Sequence, residues 1–215
     1  MPPKTLTTLT RWMAAAATCL ALTAHAADGF DAGDWKHKLK TLIDSSAEGV
    51  ELKQGASQVP IALRLHSGNF SFAEAKPDGS DLRVTAADGK TPLRFHLEKY
   101  DPANELAVVW TQLPKLSPSS KANAIVLHWG NPKATPAADS TATYDVSQTL
   151  VLHFSDPGPA RDATVNGNHP RDFTPTPAAG PLGDAAALDG GNGLVVPAAP
   201  SLRLIPANGF TFSAW

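Results

Sequence analysis

Histidine recurs on segments of alternating apolar and polar residues, and imidazoles arranged in that way could bind a metal ion. His37, His66, His96 and His128 each lie on a predicted strand, and the last three fall opposite the apolar face of their strand. Cross-strand neighbours lie about 5 Å apart, so adjacent strands in register would bring three imidazoles onto one ion. No H-x-H or H-E-x-x-H pair fixes such a geometry. The alternative, a polar solvent-facing surface on which histidine recurs, requires neither adjacency nor register.

Oxygen-bearing side chains form a second candidate site in the C-terminal third of the chain. They are Asp162, Asn166, Asn168 and Asp189. Calcium is a hard cation that takes about 6–8 oxygen ligands. These residues are therefore candidate ligands of a calcium ion, and we expect no other cofactor. The alternative is that Asn-Gly-Asn supplies left-handed turn conformations and side-chain caps to the backbone.

Aromatic residues form a third group, because they could provide a platform on which sugars stack. Trp110 and Trp129 share the apolar face of their predicted strands with other apolar residues, so we assign both to the core. Phe70 and Phe72, in SGNFSFAEA, are less clearly core residues. These two residues could either pack beneath a loop or contact a ligand.

The sequence offers no residue pattern that is typical of catalysis. It contains neither G-x-S-x-G nor G-x-G-x-x-G nor a P-loop. No pair of carboxylates is placed as a glycosidase requires. The 18 Lys and Arg residues against 20 Asp and Glu give a net charge of -2, with no basic cluster that would bind nucleic acid. We therefore expect a protein that is not an enzyme and has no nucleic-acid partner.

Short strands joined by turns must position these residues. Period-two alternation predicts strands in VPIALRLH, PLRFHLEKY and NAIVLHW, with a weaker case at WKHKLKTLI and a further strand at TLVLHF, residues 149–154. NELAVVWTQL is apolar on both faces, so we expect that strand to be central in its sheet. The 19 Pro and 16 Gly residues disfavour helices. Strands at this spacing predict an all-β protein built on an antiparallel β-sandwich.

The first residues of the chain have the pattern of a cleaved signal peptide. Two basic residues precede an apolar run at residues 13–23, and Ala24-His25-Ala26 then offers a signal peptidase site. The apolar run is well short of the roughly 20 residues that span a bilayer. We therefore predict a signal peptide over residues 1–26 and an exported, periplasmic protein.

Two motifs in the middle of the chain resemble the DUF2341 family. DGSDLR, residues 78–83, is similar to the family's DGSDLRF core, and HWGNP, residues 128–132, is similar to its YYGNP strand end. Val84-Thr85 stands where an aromatic or apolar residue is common. The resemblance implies a DUF2341 β-sandwich over residues 28–134, and the Pro- and Ala-rich stretch after it predicts a linker at residues 135–145.

The stretch that begins at LVLHFSD resembles the opening third of a concanavalin A-like lectin/glucanase domain of the LamG type. Its counterparts are RDATVNGNHP, ALDG and GFTFSAW, although Thr164-Val165 stands where Ser-Gly is usual and Pro170 where Gly is common. The resemblance implies an incomplete jelly-roll sandwich over residues 146–215. Such modules often carry calcium. GFTFSAW is then an early strand of a domain that continues past the last residue, so we expect the sequence to be a fragment.

Together the two modules resemble the exported N-terminal part of bacterial proteins in which such domains precede a MotA/TolQ/ExbB-type proton channel. The resemblance implies an inner-membrane anchor in the full-length protein, with the channel segment and a glycan or cell-wall ligand as candidate partners. The leading hypothesis is a non-catalytic binding module for a glycan, cell-wall or protein ligand. Two alternatives stay open: a structural spacer or assembly module without a ligand, and the non-catalytic part of a glycoside-active enzyme whose catalytic strands lie beyond Trp215.

Overall fold

The computed structural model describes residues 30–155, 159–180, 183–203, 205 and 209–214. The predicted signal peptide, residues 1–26, lies outside these ranges. Strands make up most of the regular structure within them: β1 (His37–Ile43), β2 (Ala56–His66), β3 (Arg83–Ala86), β4 (Phe95–Asp101), β5 (Leu106–Leu116), β6 (Asn123–Trp129), β7 (Thr176–Ala179) and β8 (Asp184–Ala187). Short helices complete it: α1 (Ser140–Thr143) and 3₁₀ helices at Ala32–Asp34, Phe72–Glu74 and Pro200–Leu202. No helix in the described ranges is long and apolar enough to cross a membrane.

The first sheet is antiparallel and contains β2, β5 and β4 in that order. β2 pairs with one edge of β5 from Ala56↔Leu116 to His66↔Leu106, and β4 pairs with the other edge. The sequence-based expectation that β5 is central is therefore confirmed. Its residues are apolar on both faces because neither face of a covered central strand is left to solvent.

The second sheet is also antiparallel and contains β1, β6 and β3, with β6 in the centre. On the edge strand β1, Lys38 and Lys40 are exposed, whereas Leu39 between them packs against the core. This alternation keeps one face of the strand in solvent. Lysines on an edge strand also discourage pairing with another chain.

The two sheets pack face to face around one apolar core. Fully buried side chains come from both sheets: Leu65, Ala107 and Val109 from the first, and Val84, Ile125 and Leu127 from the second. The prediction of an all-β protein with an antiparallel β-sandwich is therefore confirmed.

The aromatic residues divide between this core and the outer face of the first sheet. Phe70 and Phe72 are buried edge to face, with ring centroids 4.8 Å apart, and Phe70 also contacts the buried Trp129. The prediction that Trp129 is a core residue is confirmed. The same prediction for Trp110 is wrong. Val109 points into the core, so Trp110, the next residue on β5, lies on the outer face of the sheet. Alternation could not decide between the faces because both faces of β5 are apolar.

The chain that follows β6 returns to the outer face of the first sheet. The backbone N–H of Asp139 donates to the carbonyl of Phe95 on β4 at 2.8 Å. The strand predicted at residues 149–154 is reduced to a single bridge, between Leu152 and Asp162. A longer ladder does not form there, because the carboxylate of Asp162 takes the N–H of Val151.

The β7–β8 hairpin also lies against the first sheet, since Lys99 on β4 forms an ion pair of 2.7 Å with Asp184 on β8. Residues 209–214 belong to no strand, and Phe210 and Phe212 are 64% and 85% exposed. The strand predicted at GFTFSAW is not formed over residues 209–214, and its place in a LamG-type domain stays a prediction. Alternation makes a strand only where a neighbour takes the backbone N–H and C=O groups. The jelly-roll organisation and the linker at residues 135–145 stay predictions.

Candidate functional site

The two motifs that resemble the DUF2341 family meet in space through Asp81. This side chain is buried, and its Oδ2 accepts a hydrogen bond from the N–H of Gly130 at 2.7 Å, while Oδ1 accepts one from the N–H of Lys76 at 3.0 Å. The indole N–H of Trp35 donates to the carbonyl of Asp81 at 2.7 Å. Through these contacts Asp81 links three parts of the chain: its own loop from Lys76, the end of β6 at Gly130, and the segment that carries Trp35.

Gly130 permits this arrangement because it has no side chain. Its φ of +89° lies in the left-handed region, and a Cβ added there would lie 2.7 Å from Cδ2 of His37. The ring of His37 stacks on Trp129, with centroids 5.4 Å apart and an angle of 22° between the planes. Its Nε2 lies 3.6 Å from Oε1 of Glu74. The HWGNP turn therefore places one imidazole and one carboxylate beside the motif junction.

An open cleft of about 510 Å³ lies at this junction. Its wall is formed by Lys36, His37, Ala73, Glu74, Ala75, Lys76, Pro77, Asp81, Gly130 and Pro132. The charged side chains of Lys36 and Glu74 are exposed, whereas the ammonium of Lys76 donates to the carbonyl of Ala134 at 2.9 Å. We call this the motif cleft. It offers charges of both signs, and none of its wall residues carries a hydroxyl or thiol that could act as a nucleophile.

A second polar cluster is buried between the first sheet and the chain that covers it. Nδ1 of His153 lies 3.0 Å from Oε2 of Glu98, and the indole N–H of Trp110 donates to the same oxygen at 2.5 Å. On the other side of the ring, Nε2 of His153 lies 3.1 Å from Nε2 of His96 and 3.0 Å from the hydroxyl oxygen of Tyr144. We call these five residues the imidazole cluster.

The local structure of β4 aims two of these side chains into the cluster. His96 lies on the outer face of the sheet, opposite the core residue Phe95. The register between β4 and β5 then shifts between Leu97 and Lys99. A bulge of this kind bends a strand and redirects a side chain. In this strand the redirected residue is Glu98.

Burial controls protonation within the imidazole cluster. Burial, followed by the adjacent His153, lowers the pKa of His96 to about 4. Burial by itself would raise the pKa of Glu98, but the hydrogen bonds from His153 and Trp110 outweigh it, so the pKa is lowered. Burial, followed by the charge of Glu98, raises the pKa of Tyr144. At neutral pH the cluster therefore contains an ionised Glu98, a neutral His96 and an intact phenol.

The structure does not bring the three strand histidines together. His66 on β2 and His96 on β4 are separated by β5, and His128 lies on β6 in the second sheet. Their convergence on one metal ion is therefore wrong. The solvent-facing alternative is correct for the exposed His66 but wrong for His96 and His128, which are 5% and 2% exposed. Both rings are buried by segments of the chain that lie over them. For His128 these include Phe30, whose ring centroid is 4.9 Å from that of His128.

Three of the predicted calcium ligands lie in one loop. Asp162 accepts hydrogen bonds from the N–H groups of Val151, Thr164 and Asn168. The side-chain amide of Asn168 donates to the carbonyl of Thr149 at 2.7 Å. These contacts link the loop to the chain that precedes it.

Asn166, the third predicted ligand in this loop, and Asp189 also bond to nearby backbone. The amide of Asn166 donates to the carbonyl of Gln148 at 3.4 Å. Asp189 lies in a separate turn, where it accepts from the N–H groups of Gly191 and Asn192. These hydrogen bonds are the side-chain caps to the backbone that the alternative to a calcium site describes. The calcium site stays a prediction. Within the described ranges, no three or more His, Cys, Asp or Glu side chains are grouped to hold a metal ion.

Sequence reasoning missed Tyr144 and His153 as partners of His96. Tyr144 lies in the predicted linker and His153 in the predicted next domain, so the strand pattern does not relate either residue to the strand histidines. One signal was available in the sequence. His153 is flanked by Leu152 and Phe154 in TLVLHF, and a histidine within an apolar run is a candidate for burial, where it needs a polar partner.

The comparison with known proteins agrees with the two motifs. Residues 78–159 match the family model described as Domain of unknown function (DUF2341). No curated protein and no solved structure matches the sequence. The matched range contains Asp81 and Gly130 of the motif junction and all five residues of the imidazole cluster. The range that matches the DUF2341 model has the motif junction near its beginning, and the imidazole cluster is spread through the rest of it.

Proposed function

We propose that the chain is a non-catalytic recognition module that binds a polar ligand in the motif cleft. The observation that carries the proposal is that both DUF2341 motifs contribute to this cleft, joined by the 2.7 Å hydrogen bond between Asp81 and Gly130. Because backbone hydrogen bonds fix these loops, the cleft is held in shape before a ligand arrives. A site formed in advance loses less conformational entropy on binding.

The size and chemistry of the motif cleft suit a small polar ligand. Its volume of about 510 Å³ falls in the range of roughly 300–1,000 Å³ that is typical of small-molecule sites. The ammonium of Lys36 can donate to hydroxyl or carboxylate oxygens, and the carboxylate of Glu74 can accept from hydroxyl or amide groups. Glycans and cell-wall fragments carry these groups, and so does a polar segment of a protein ligand.

We further propose that this module works in the periplasm as part of a longer protein. The pattern of residues 1–26 supports export, and the LVLHFSD and GFTFSAW stretches support a LamG-type domain after residue 146. The combined resemblance supports an inner-membrane MotA/TolQ/ExbB-type channel segment in the full-length protein. Finding residues 1–26 still attached to the protein recovered from the periplasmic fraction of an expressing bacterium would contradict the cleavage, and finding no protein there would contradict export.

A binding panel tests the recognition proposal. The chain is titrated with soluble peptidoglycan fragments and with neutral and acidic oligosaccharides, and binding is measured by calorimetry. We expect at least one class of ligand to bind, and we expect Lys36→Ala to weaken that binding. Lys40→Ala is the matched control, because Lys40 is an exposed lysine on β1 that does not line the cleft.

Two results would contradict the proposal. If no ligand in the panel binds at millimolar concentration, the structural spacer becomes the better description of the chain. If a ligand binds but Lys36→Ala and Lys40→Ala weaken it equally, the chain recognises ligands at another surface and the motif cleft is not the site.

A further inference from the structure

We propose that His96, His153 and Tyr144 form a binding site for one zinc-like transition-metal ion, placed between β4 and the chain that covers it. The two imidazole Nε2 atoms face each other at 3.1 Å, and the phenol oxygen lies 3.0 Å from the Nε2 atom of His153. The Nε2 atom of His153 thus has two further donor atoms beside it, one on β4 and one on the covering segment. The calcium prediction at Asp162 is a different site with different donors.

Hydrogen bonding can satisfy both contacts of the His153 Nε2 atom only if they share a single lone pair. Nε2 of a histidine either carries one proton or presents one lone pair. His153 already directs its Nδ1 to Glu98, so its Nε2 atom has one bonding direction left and two partners within 3.1 Å. One metal ion at the shared point would bond to all three inward-facing donors at once.

The distances agree with a tetrahedral metal centre. Zn–N bonds are about 2.0–2.1 Å long, so two imidazole nitrogens on one tetrahedral zinc ion lie about 3.3 Å apart. The two Nε2 atoms of His96 and His153 are separated by 3.1 Å. Their ring centroids are 5.1 Å apart.

The outer contacts of His153 are those of a metal ligand. Histidines that bind a metal usually donate their other ring N–H to a carboxylate, which fixes the tautomer and the orientation of the ring. Glu98 takes this role at 3.0 Å, and the 2.5 Å hydrogen bond from Trp110 holds Glu98 in turn. Both His153 and Glu98 are shielded, with side chains 12% and 6% exposed. The inner nitrogen is therefore left as a lone pair directed at the site.

The donor set selects the class of ion. Imidazole nitrogen suits Zn²⁺ or Cu²⁺, whereas Ca²⁺ requires a shell of oxygen ligands. Tyr144 would bind such an ion through its oxygen once the phenol proton is released to solvent. The site would join β4 to the segment from Tyr144 to His153, and that segment forms only an isolated bridge outside the named strands. A metal ion here would therefore hold the covering segment against the outer face of the first sheet.

The test measures zinc binding by the full chain, produced without a polyhistidine tag and freed of metal with a chelator. We expect one Zn²⁺ per chain by equilibrium dialysis, a higher thermal midpoint with Zn²⁺ because the ion binds only the folded state, and no such effect from Ca²⁺ at the same concentration. We expect His96→Gln to weaken Zn²⁺ binding at least about tenfold. His66→Gln is the matched control, since His66 is an exposed histidine on β2, the opposite edge strand of the same sheet.

If His96→Gln folds poorly, a second variant and a second metal ion still test the proposal. Tyr144→Phe removes only the phenol oxygen, and we expect it to weaken Zn²⁺ binding and to change the visible absorption of the Co²⁺-loaded chain, which reports tetrahedral coordination in the native protein. If the chain binds no Zn²⁺, or if His96→Gln or Tyr144→Phe binds it as tightly as His66→Gln does, the cluster is a hydrogen-bonded network without a metal and the proposal is wrong.

Discussion

The carboxylate of Asp81 and the backbone N–H of Gly130 are joined by a hydrogen bond of 2.7 Å, although the two residues are 49 positions apart in the chain. This bond fastens the DGSDLR turn to the end of β6. Asp81 also accepts the N–H of Lys76, so one buried carboxylate satisfies two backbone donors that would otherwise lie unpaired beside the motif cleft.

Asp81→Asn should destabilise the sandwich by about 1–3 kcal/mol, because an amide has one acceptor oxygen and its NH₂ group would face a backbone donor. Urea unfolding followed by tryptophan fluorescence measures this change. The same substitution at Asp78 is the control. Asp78 is exposed and accepts only from the N–H of Ser80, a bond that asparagine retains, so little change is expected. Equal stability of both variants would show that the motif junction does not depend on Asp81.

Much of the sandwich can be predicted from the sequence because its strands follow a two-residue period. The alternation in β1, β2, β4 and β6 and the apolar character of β5 on both faces are enough to identify the strands and the central position of β5. The face to which Trp110 belongs is not predictable in this way, because a strand that is covered on both sides carries no contrast between its faces.

The imidazole cluster could not be predicted from the sequence, for a different reason. His96 and His153 are 57 residues apart, and the segment that carries His153 pairs with no neighbouring strand except by one bridge. Pattern reasoning relates residues through the periods of regular elements. It gives no position for a side chain on an irregular segment that crosses a sheet, nor for a bulge such as the one at Glu98.

Leu127→Ala should destabilise the protein by about 2–5 kcal/mol, because Leu127 is 1% exposed on the central strand β6 and its removal leaves a cavity between the sheets. Leu42→Ala is the matched control, since Leu42 lies on β1 of the same sheet and is 65% exposed. Thermal and urea unfolding of both variants measure the difference. A loss of similar size at both positions would contradict the assignment of the core to the space between the sheets.

The ion pair between Lys99 and Asp184 should couple the β7–β8 hairpin weakly to the first sheet. Its atoms are 2.7 Å apart, but the two side chains are 22% and 40% exposed, so we expect a coupling of about 0.2–1 kcal/mol that decreases in salt. A double-mutant cycle with Lys99→Ala and Asp184→Ala measures it. The exposed pair Lys53 and Glu51, 3.8 Å apart, is the control and should show no coupling. The absence of any coupling at low salt would place the hairpin away from β4.

Acid should weaken the second sheet through His128. Burial, followed by the charge of Lys38, lowers the pKa of His128 from 6.5 to about 4. Its ring bonds to the hydroxyl of Thr85 at 2.9 Å, and Lys38 and Arg83 are its register partners on the two neighbouring strands. A further positive charge at this position, beside those of Lys38 and Arg83, is therefore unfavourable in the folded state.

The sign of the effect follows from where the proton binds. Between pH 6.5 and about 4 the unfolded chain takes up a proton on His128 and the folded chain does not, so the stability that His128 contributes is complete above pH 6.5 and decreases by up to about 3 kcal/mol as the pH falls to 4. His128→Gln should flatten the dependence of the unfolding free energy on pH over this window, whereas His66→Gln, at an exposed site, should leave it unchanged. An NMR titration of the His128 ring gives its pKa directly, and a value near 6.5 would show that the folded sandwich accepts the charge at this position without cost.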